Sequence, residues 1–332
     1  MKSSEGHPDL LYGVHPERVI EAIKARASNG DSRNDERKLG LVIEGGSVRA
    51  ASSAGGAVVL AQLGYSNTFD NVYATSSGVM NAAYFISNQP LTGISVYFEN
   101  CVSRRFVNPL RFWKIIDADY IFDKVAVDEK PLDTECVLAS PSRLQVAALD
   151  CADGEGFMID TKTSDTPLLQ CLKASAAIPV FYNRAVEVDG RKCIDGGLRI
   201  PFPLKQAIEQ GCTDILVMLT RPRGYLSQPS HFYKRLIFNI MCARGHRGLN
   251  QAFADRYKYS REYRDIAFGR VAASRNVNIA TIATDEPETI QGLALSSDVL
   301  RHAALEYGRK TLEIFGYKNE SWEIGRPTGP DS

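Results

Sequence analysis

Beyond Leu39 the chain is a series of short apolar runs, each stopped by small or glycine-containing turns and followed by a stretch of helical periodicity. Few folds accept that pattern. Parallel strands need crossover connections, usually helical, so strands alternating with helices predict an α/β fold with a mostly parallel sheet covered on both faces. Leu41-Val42-Ile43 predicts a buried strand, Gly45-Gly46 a break, and residues 54–63 a helix. Val72-Tyr73-Ala74 predicts a second strand, followed by a helix over 78–86 with Val79, Ala82, Ala83 and Ile86 at helical spacing. Further strands are predicted over 144–149, 157–159, 215–219 and 277–283. Helices are predicted over 167–176, up to Gly211, and over 297–315. Asp189-Gly190 between two apolar runs (185–188 and 191–194) is a two-residue hairpin signal. The first residues have a different texture. An amphipathic helix over 16–27, with Val19, Ile20 and Ile23 on one face, precedes a polar stretch, 28–38, that reads as a linker. The expected organisation is an N-terminal extension (1–38), one domain (39–316) and a C-terminal tail (317–332).

Composition narrows the function. Lys+Arg and Asp+Glu both number 39, so the formal net charge is zero, which argues against nucleic acid or another polyanion as the main partner. The seven cysteines are scattered with no Cys-x-x-Cys pair, so neither a zinc site nor a disulfide framework is suggested. A reducing, cytoplasmic location is expected, and the polar first ten residues do not read as a secretory signal. No uninterrupted apolar run is long enough to span a bilayer, so contact with a membrane surface is the most that is expected there.

Three segments carry chemistry. In Ala74-Thr75-Ser76-Ser77-Gly78, between a predicted strand and helix, Ser76 is placed to be pushed out of the strand end as a nucleophile, with the helix N-terminus behind it. Serine also caps helices, so the segment alone leaves both roles open. Upstream, Glu44-Gly45-Gly46-Ser47-Val48-Arg49-Ala50 presents successive backbone N–H groups. It lacks the lysine and Ser/Thr of a nucleotide P-loop, and Gly-x-Gly-x-x-Gly does not occur here. An oxyanion hole, with Arg49 shaping the loop or meeting a phosphate, and a plain glycine turn both remain open. The five histidines (His7, His15, His231, His246, His302) fall away from predicted strand ends, which leaves a Ser-His-Asp triad poorly supported. Cys193-Ile194-Asp195-Gly196-Gly197-Leu198 offers another base, an aspartate at a strand end that works only if it touches the serine hydroxyl and is partly desolvated.

Taken in order, Gly45-Gly46-Ser47-Val48-Arg49, Ser76-Ser77-Gly78 with Asn81-Ala82-Ala83, and Asp195-Gly196-Gly197 resemble the patatin-like phospholipase family. The likeness is closest to the bacterial-type, single-domain members and covers residues 39–315. Residues 174–179 and Leu219-Thr220-Arg221-Pro222 support it. The resemblance implies a three-layer α/β/α fold and a Ser-Asp dyad of Ser76 and Asp195. It further implies an oxyanion hole from Gly45, Gly46, Ser47, Val48 and Arg49, an elbow bounded by Ala74 and Gly78, and no metal or cofactor. The implied activity is hydrolysis of carboxylic esters of acyl lipids, of phospholipase A or lysophospholipase type. Four positions depart from the family pattern: Ser47, Ala50 and Ala74 stand where glycine is usual, and Arg199 where a small or acidic residue is. Ser47 and Ala74 favour a second reading, a lipid- or protein-binding family member without turnover. Acyl transfer to an acceptor other than water shares the same dyad. Two stretches mixing basic and aromatic residues suit an interfacial helix or lid, and equally suit ordinary half-buried helices. These are 104–122 (with Phe106, Phe112, Trp113 and Tyr120) and 221–247 (with Phe232, Tyr233, Phe238 and Arg244).

Overall fold

A strand covered on both faces reads as an unbroken apolar run, because its side chains alternate between two buried surfaces. In the computed structural model Leu39–Ile43 and Asp214–Met218 are such strands, buried at every residue. The structure describes residues 10–111, 114–182, 184–243, 246–284, 296–317 and 322–325. In chain order the first elements are β1 (Tyr12–Val14), α1 (Pro16–Ser28), β2 (Leu39–Ile43), α2 (Ala50–Gln62), β3 (Asn71–Ala74), α3 (Gly78–Ile86) and α4 (Pro90–Ser95). A π-helical segment, Tyr120–Glu129, precedes α5 (Thr134–Ala139), β4 (Arg143–Asp150), β5 (Gly156–Asp160) and α6 (Leu168–Ser175). Then come the hairpin β6 (Val186–Val188) and β7 (Arg191–Asp195), α7 (Leu204–Glu209) and β8 (Asp214–Met218). The last elements are α8 (Phe232–Phe238), α9 (Arg247–Ala267), β9 (Asn278–Ile282) and α10 (Ser297–Ile314).

The sheet runs β1-β9-β8-β2-β3-β4-β7-β6, with β5 also on β4. Its centre, β9 to β4, is five parallel strands; β1 at one end and β5, β7 and β6 at the other are antiparallel. Leu41 and Ile43 point into one core with α1, α2, α3 and α10, while Val42 between them points into a second core with α7 and α9. This is the expected α/β/α sandwich. The order of strands reverses beside β2, because β3 and β4 lie on one side of it and β8 and β9 on the other. In open α/β sheets such a switch point leaves a crevice at the carboxyl ends of the strands.

Residues 12–28, set apart by the sequence as an extension, contribute to the same body. β1 pairs with β9, and Val19, Ile20 and Ile23 of α1 join the main core. Each such side chain contributes about 1.5–3 kcal/mol by burial. The polar stretch after it is tied down as well. Arg26 is buried and bonds Asp70, Asp35 and the Arg37 carbonyl, and Arg33 reaches Asp70 at 3.0 Å. The stretch reads as a linker because the partners of its charges lie outside it: Asp70 for Arg33, Arg26 of α1 for Asp35 and Asp214 for Arg37.

Candidate active site

Two strand ends meet on one edge of β4. β5 occupies the other edge, opposite Gln145 to Leu149. β3 therefore shares the first edge with β7: Ala74 pairs with Val146, and Asp195 pairs with Ala148. β3 runs parallel to β4 and β7 antiparallel, so their carboxyl ends face each other across the single position Ala147. Only a residue without a side chain can turn there after Asp195. A Cβ on Gly196 would lie 2.5 Å from the Ala147 carbonyl group.

At the end of β3 the backbone reverses into α3 through Thr75, Ser76 and Ser77. Ser76 itself takes φ +52°, the left-handed region that a serine adopts only under constraint. The turn holds its Oγ 2.6 Å from Asp195 Oδ2, to which it donates. The other carboxylate oxygen accepts the Gly197 N–H at 2.7 Å. The stretch 175–177, quoted above only for its resemblance, ties both residues: Ser175 Oγ accepts the Ser76 N–H (3.1 Å), and the Ala177 carbonyl accepts the Asp195 N–H (3.0 Å). Ser76 and Asp195 are both buried. Burial raises the Asp195 carboxyl above the ordinary aspartate value, opposed by the Ser76 hydroxyl, the Gly197 N–H and the positive Arg256.

The glycine loop leaves β2 beside this pair. Gly45 has no room for a Cβ, which would sit 2.6 Å from both Ser76 Cβ and the Thr75 carbonyl oxygen. The Gly46 N–H donates to Ser77 Oγ (3.0 Å), and the Arg49 N–H to the Gly46 carbonyl (3.2 Å). The N–H groups of Ser47 and Val48 have no acceptor among the described residues. Behind the loop, Glu44 accepts the Thr220 N–H (2.7 Å) and lies 3.7 Å from the buried Arg264, while the Thr220 hydroxyl donates to the Gly45 carbonyl (2.7 Å). Sequence reasoning missed Arg264 and Thr220 as supports, because their partner is about 200 residues away.

Of the positions departing from the family pattern, Ala74 sits in regular strand pairing and Ala50 in ordinary right-handed helix (φ −65°), so a Cβ is tolerated at both. Ser47 does not fare so well. Its φ is +56°, and its buried hydroxyl has no partner. Arg199 bonds the Gly154 carbonyl and Glu155 rather than Ser76 or Asp195.

Ser76 stands at the boundary of two cavities that share Ser47, Ser76, Ile116 and Ile178. One is a narrow apolar slot of about 50 Å³, with Val48, Met80, Phe106 and Phe122 in its wall. The other is an open, polar cavity of about 1250 Å³. The basic-aromatic stretch 104–122 thus turns Phe106 and Phe122 inward, while Phe112 and Trp113 lie outside the described residues. In 221–247, Phe232, Tyr233 and Ile237 on α8 are exposed, whereas Phe238 is buried against Phe253; Arg244 lies outside the described residues. Among the described residues no helix is long and apolar enough to cross a membrane.

A family model described as patatin-like phospholipase matches residues 41–208, from β2 past Ser76 and Asp195 to α7. The chain belongs to the patatin-like phospholipase family. It is also 31% identical over 202 residues to uncharacterized protein YjjU of Escherichia coli (strain K12), covering 59% of this chain and 55% of that one. The chain thus spans about half the length of the curated relative it matches. Among solved structures, VipD from Legionella pneumophila aligns with 85% of this chain and 67% of its own at 11% identity and a TM-score of 0.44. In family terms, β3 and α3 flank the elbow, and the loop after β2 carries the glycines.

Proposed function

We propose that this patatin-like protein is a serine acyl hydrolase that cleaves carboxylic esters of acyl lipids through a Ser76–Asp195 dyad. The observation that carries the reading is the 2.6 Å hydrogen bond between Ser76 Oγ and a buried Asp195 at the junction of an apolar slot and a polar cavity. Such a carboxylate is a stronger base than an exposed one, which suits it to take a hydroxyl proton and return it. In the first half-reaction Ser76 Oγ bonds to the ester carbonyl carbon and its proton passes to Asp195. The carbonyl–alcohol bond then breaks, and the leaving alkoxide takes that proton. In the second, water loses a proton to Asp195 and attacks the acyl-enzyme; Ser76 leaves and is reprotonated. The acyl chain occupies the slot and the alcohol portion faces the polar cavity. The N–H groups of Ser47 and Val48 serve the oxyanion, and no metal or cofactor is invoked. The exposed apolar face of α8, beside the cavity mouth, meets the lipid surface.

Covalent labelling by a fluorophosphonate tests the nucleophile. The native chain is expected to label and Ser76→Ala is not. Labelling that persists in Ser76→Ala moves the nucleophile elsewhere. A native chain that does not label supports instead a lipid- or protein-binding role without turnover.

A further inference from the structure

The polar cavity beside Ser76 is unbalanced in charge, although the chain as a whole has 39 basic and 39 acidic residues. Four cations line it from four separate segments: Arg49 on the glycine loop, Arg221 after β8, Lys234 on α8 and Arg256 on α9. Among the described residues two carboxylates also line it, and both are engaged. Glu44 is held by Arg264 and Thr220, and Asp195 by Ser76 and Gly197. Neither is left to meet a cation brought by a ligand. Quaternary ammonium groups also bind over open aromatic faces. Both tyrosines of this cavity already carry an arginine, Arg221 over Tyr225 at 4.0 Å and Arg261 over Tyr257 at 5.6 Å, which leaves the single phenyl ring of Phe181 rather than a cage of rings among the described lining. Among the described residues, Arg256 and Lys234 form no ion pair that would neutralise them. Arg256 is close enough to the catalytic carboxylate to act on it electrostatically. A group bound at Arg256 is therefore also near the reacting atoms.

On the acyl hydrolase reading above, on which this rests, we infer that the site selects esters whose leaving group is anionic. The group it fits is a glycerol phosphate without a compensating ammonium, in preference to choline-type esters. The apolar slot takes the acyl portion, and the polar cavity offers Arg256 and Lys234 to the phosphate. A zwitterionic head group brings an ammonium for which the described lining has no unengaged carboxylate. The choline ester therefore gains the phosphate contact and loses much of it to repulsion at the trimethylammonium end.

The test uses the purified full chain and three soluble substrates. Two are short-chain diacylglycerophospholipids kept below their micellar concentration, one with a glycerol and one with a choline head group. The third is the neutral ester p-nitrophenyl butyrate. Monodisperse substrate removes recruitment to a charged surface as a cause. kcat/KM for the glycerol head group is expected to exceed that for choline by about tenfold or more, as for hydrogen bonds to charged groups. Arg256→Gln and Lys234→Gln should each shrink that ratio, Arg256→Lys should restore most of it, and added salt should lower it. Equal rates on the two phospholipids, or a ratio that neither glutamine variant changes, overturns the inference. p-Nitrophenyl butyrate separates the two failures. Its hydrolysis without head-group preference leaves the hydrolase reading standing and removes this one. Hydrolysis of none of the three removes both.

Discussion

Ser47 is the residue whose replacement should make the protein more stable. It holds φ +56°, which costs an L residue about 1–2 kcal/mol relative to right-handed backbone. Its hydroxyl is buried with no hydrogen-bond partner, a desolvation penalty of about 1 kcal/mol at the low end of the usual range, chosen because the residue as a whole is only half-buried. Ser47→Gly removes both terms. Against them stands the greater freedom of glycine in the unfolded chain, about 0.5–1 kcal/mol. The balance is a gain of about 1–2 kcal/mol, close to the sum because strain and desolvation act on different atoms. Urea denaturation checks it: the midpoint should rise while the slope, which reports the surface exposed on unfolding, stays the same. A midpoint that is unchanged or lower, with the slope unaltered, refutes the reasoning. It would mean that the hydroxyl has a partner in solution or that the loop relaxes out of the left-handed region. Fluorophosphonate labelling of the same samples has a separate use. A loss of about 10²–10³ in rate, the usual effect of removing an oxyanion donor, would assign the hydroxyl itself to the oxyanion.

Two further outcomes follow from the same site. Asp195 is raised in the folded state, so the fold binds its proton more tightly than the unfolded chain does. That contribution to stability is fully present below the unfolded value of about 3.9 and is lost as pH rises through the raised folded value. Thermal melts should therefore show Asp195→Asn gaining on the native chain over that window and then holding a constant lead; a difference that does not depend on pH counts against the raised carboxyl. Phe232 is 79% exposed on α8, and moving such a side chain into lipid contributes about 1.5–3 kcal/mol. Phe232→Ala should weaken co-sedimentation with liposomes about tenfold or more, and undiminished binding would take α8 off the lipid surface.

The legible parts of the molecule are those whose signal is local. The helix Gly78–Ile86 was read with its bounds, and the hairpin followed from Asp189-Gly190, both of which take positive φ as the tight turn demands. Ser76 and Asp195 were legible because each sits at a strand end marked by small residues. What brings them together was not. Their meeting depends on β3 and β7 sharing one edge of β4, which is a property of strand order rather than of either segment. The supports were hidden for a similar reason. Arg264 lies within a long polar helix, α9, where an arginine reads as solvated, yet it is 3% exposed because Glu44 waits beneath it. The N-terminal helix was read correctly as amphipathic and wrongly as peripheral, since periodicity tells which face is covered but not by what.

The two readings of this family member differ in what they ask of the fold, and the conformation of Ser76 and the burial of Asp195 support the proposed turnover. Ser47 and Ser76 are both held at positive φ. Val180, a β-branched residue for which that region is still less favourable, has φ +74° between cavity-lining Pro179 and Phe181. Thr75 and Ser47 bury hydroxyls without partners, and Asp195 buries a carboxylate whose nearest hydroxyl is Ser76. Each of these is unfavourable, by about 1–3 kcal/mol where the backbone is strained, and they lie around one cavity, while other non-glycine residues at positive φ, such as Asp31, Asn88 and Asp189, sit in turns elsewhere. A surface that only holds a lipid needs none of them. An uncharged residue at Asp195 would serve binding as well and fold better. A nucleophile does need a strained elbow to expose its oxygen, and a weak carboxylate base needs desolvation to become a stronger one. The strain at Ser76 and the burial of Asp195 are therefore features that the proposed chemistry requires, and a chain relieved of it would be free to lose them; the strain at Ser47, where the family pattern has glycine, is not among them.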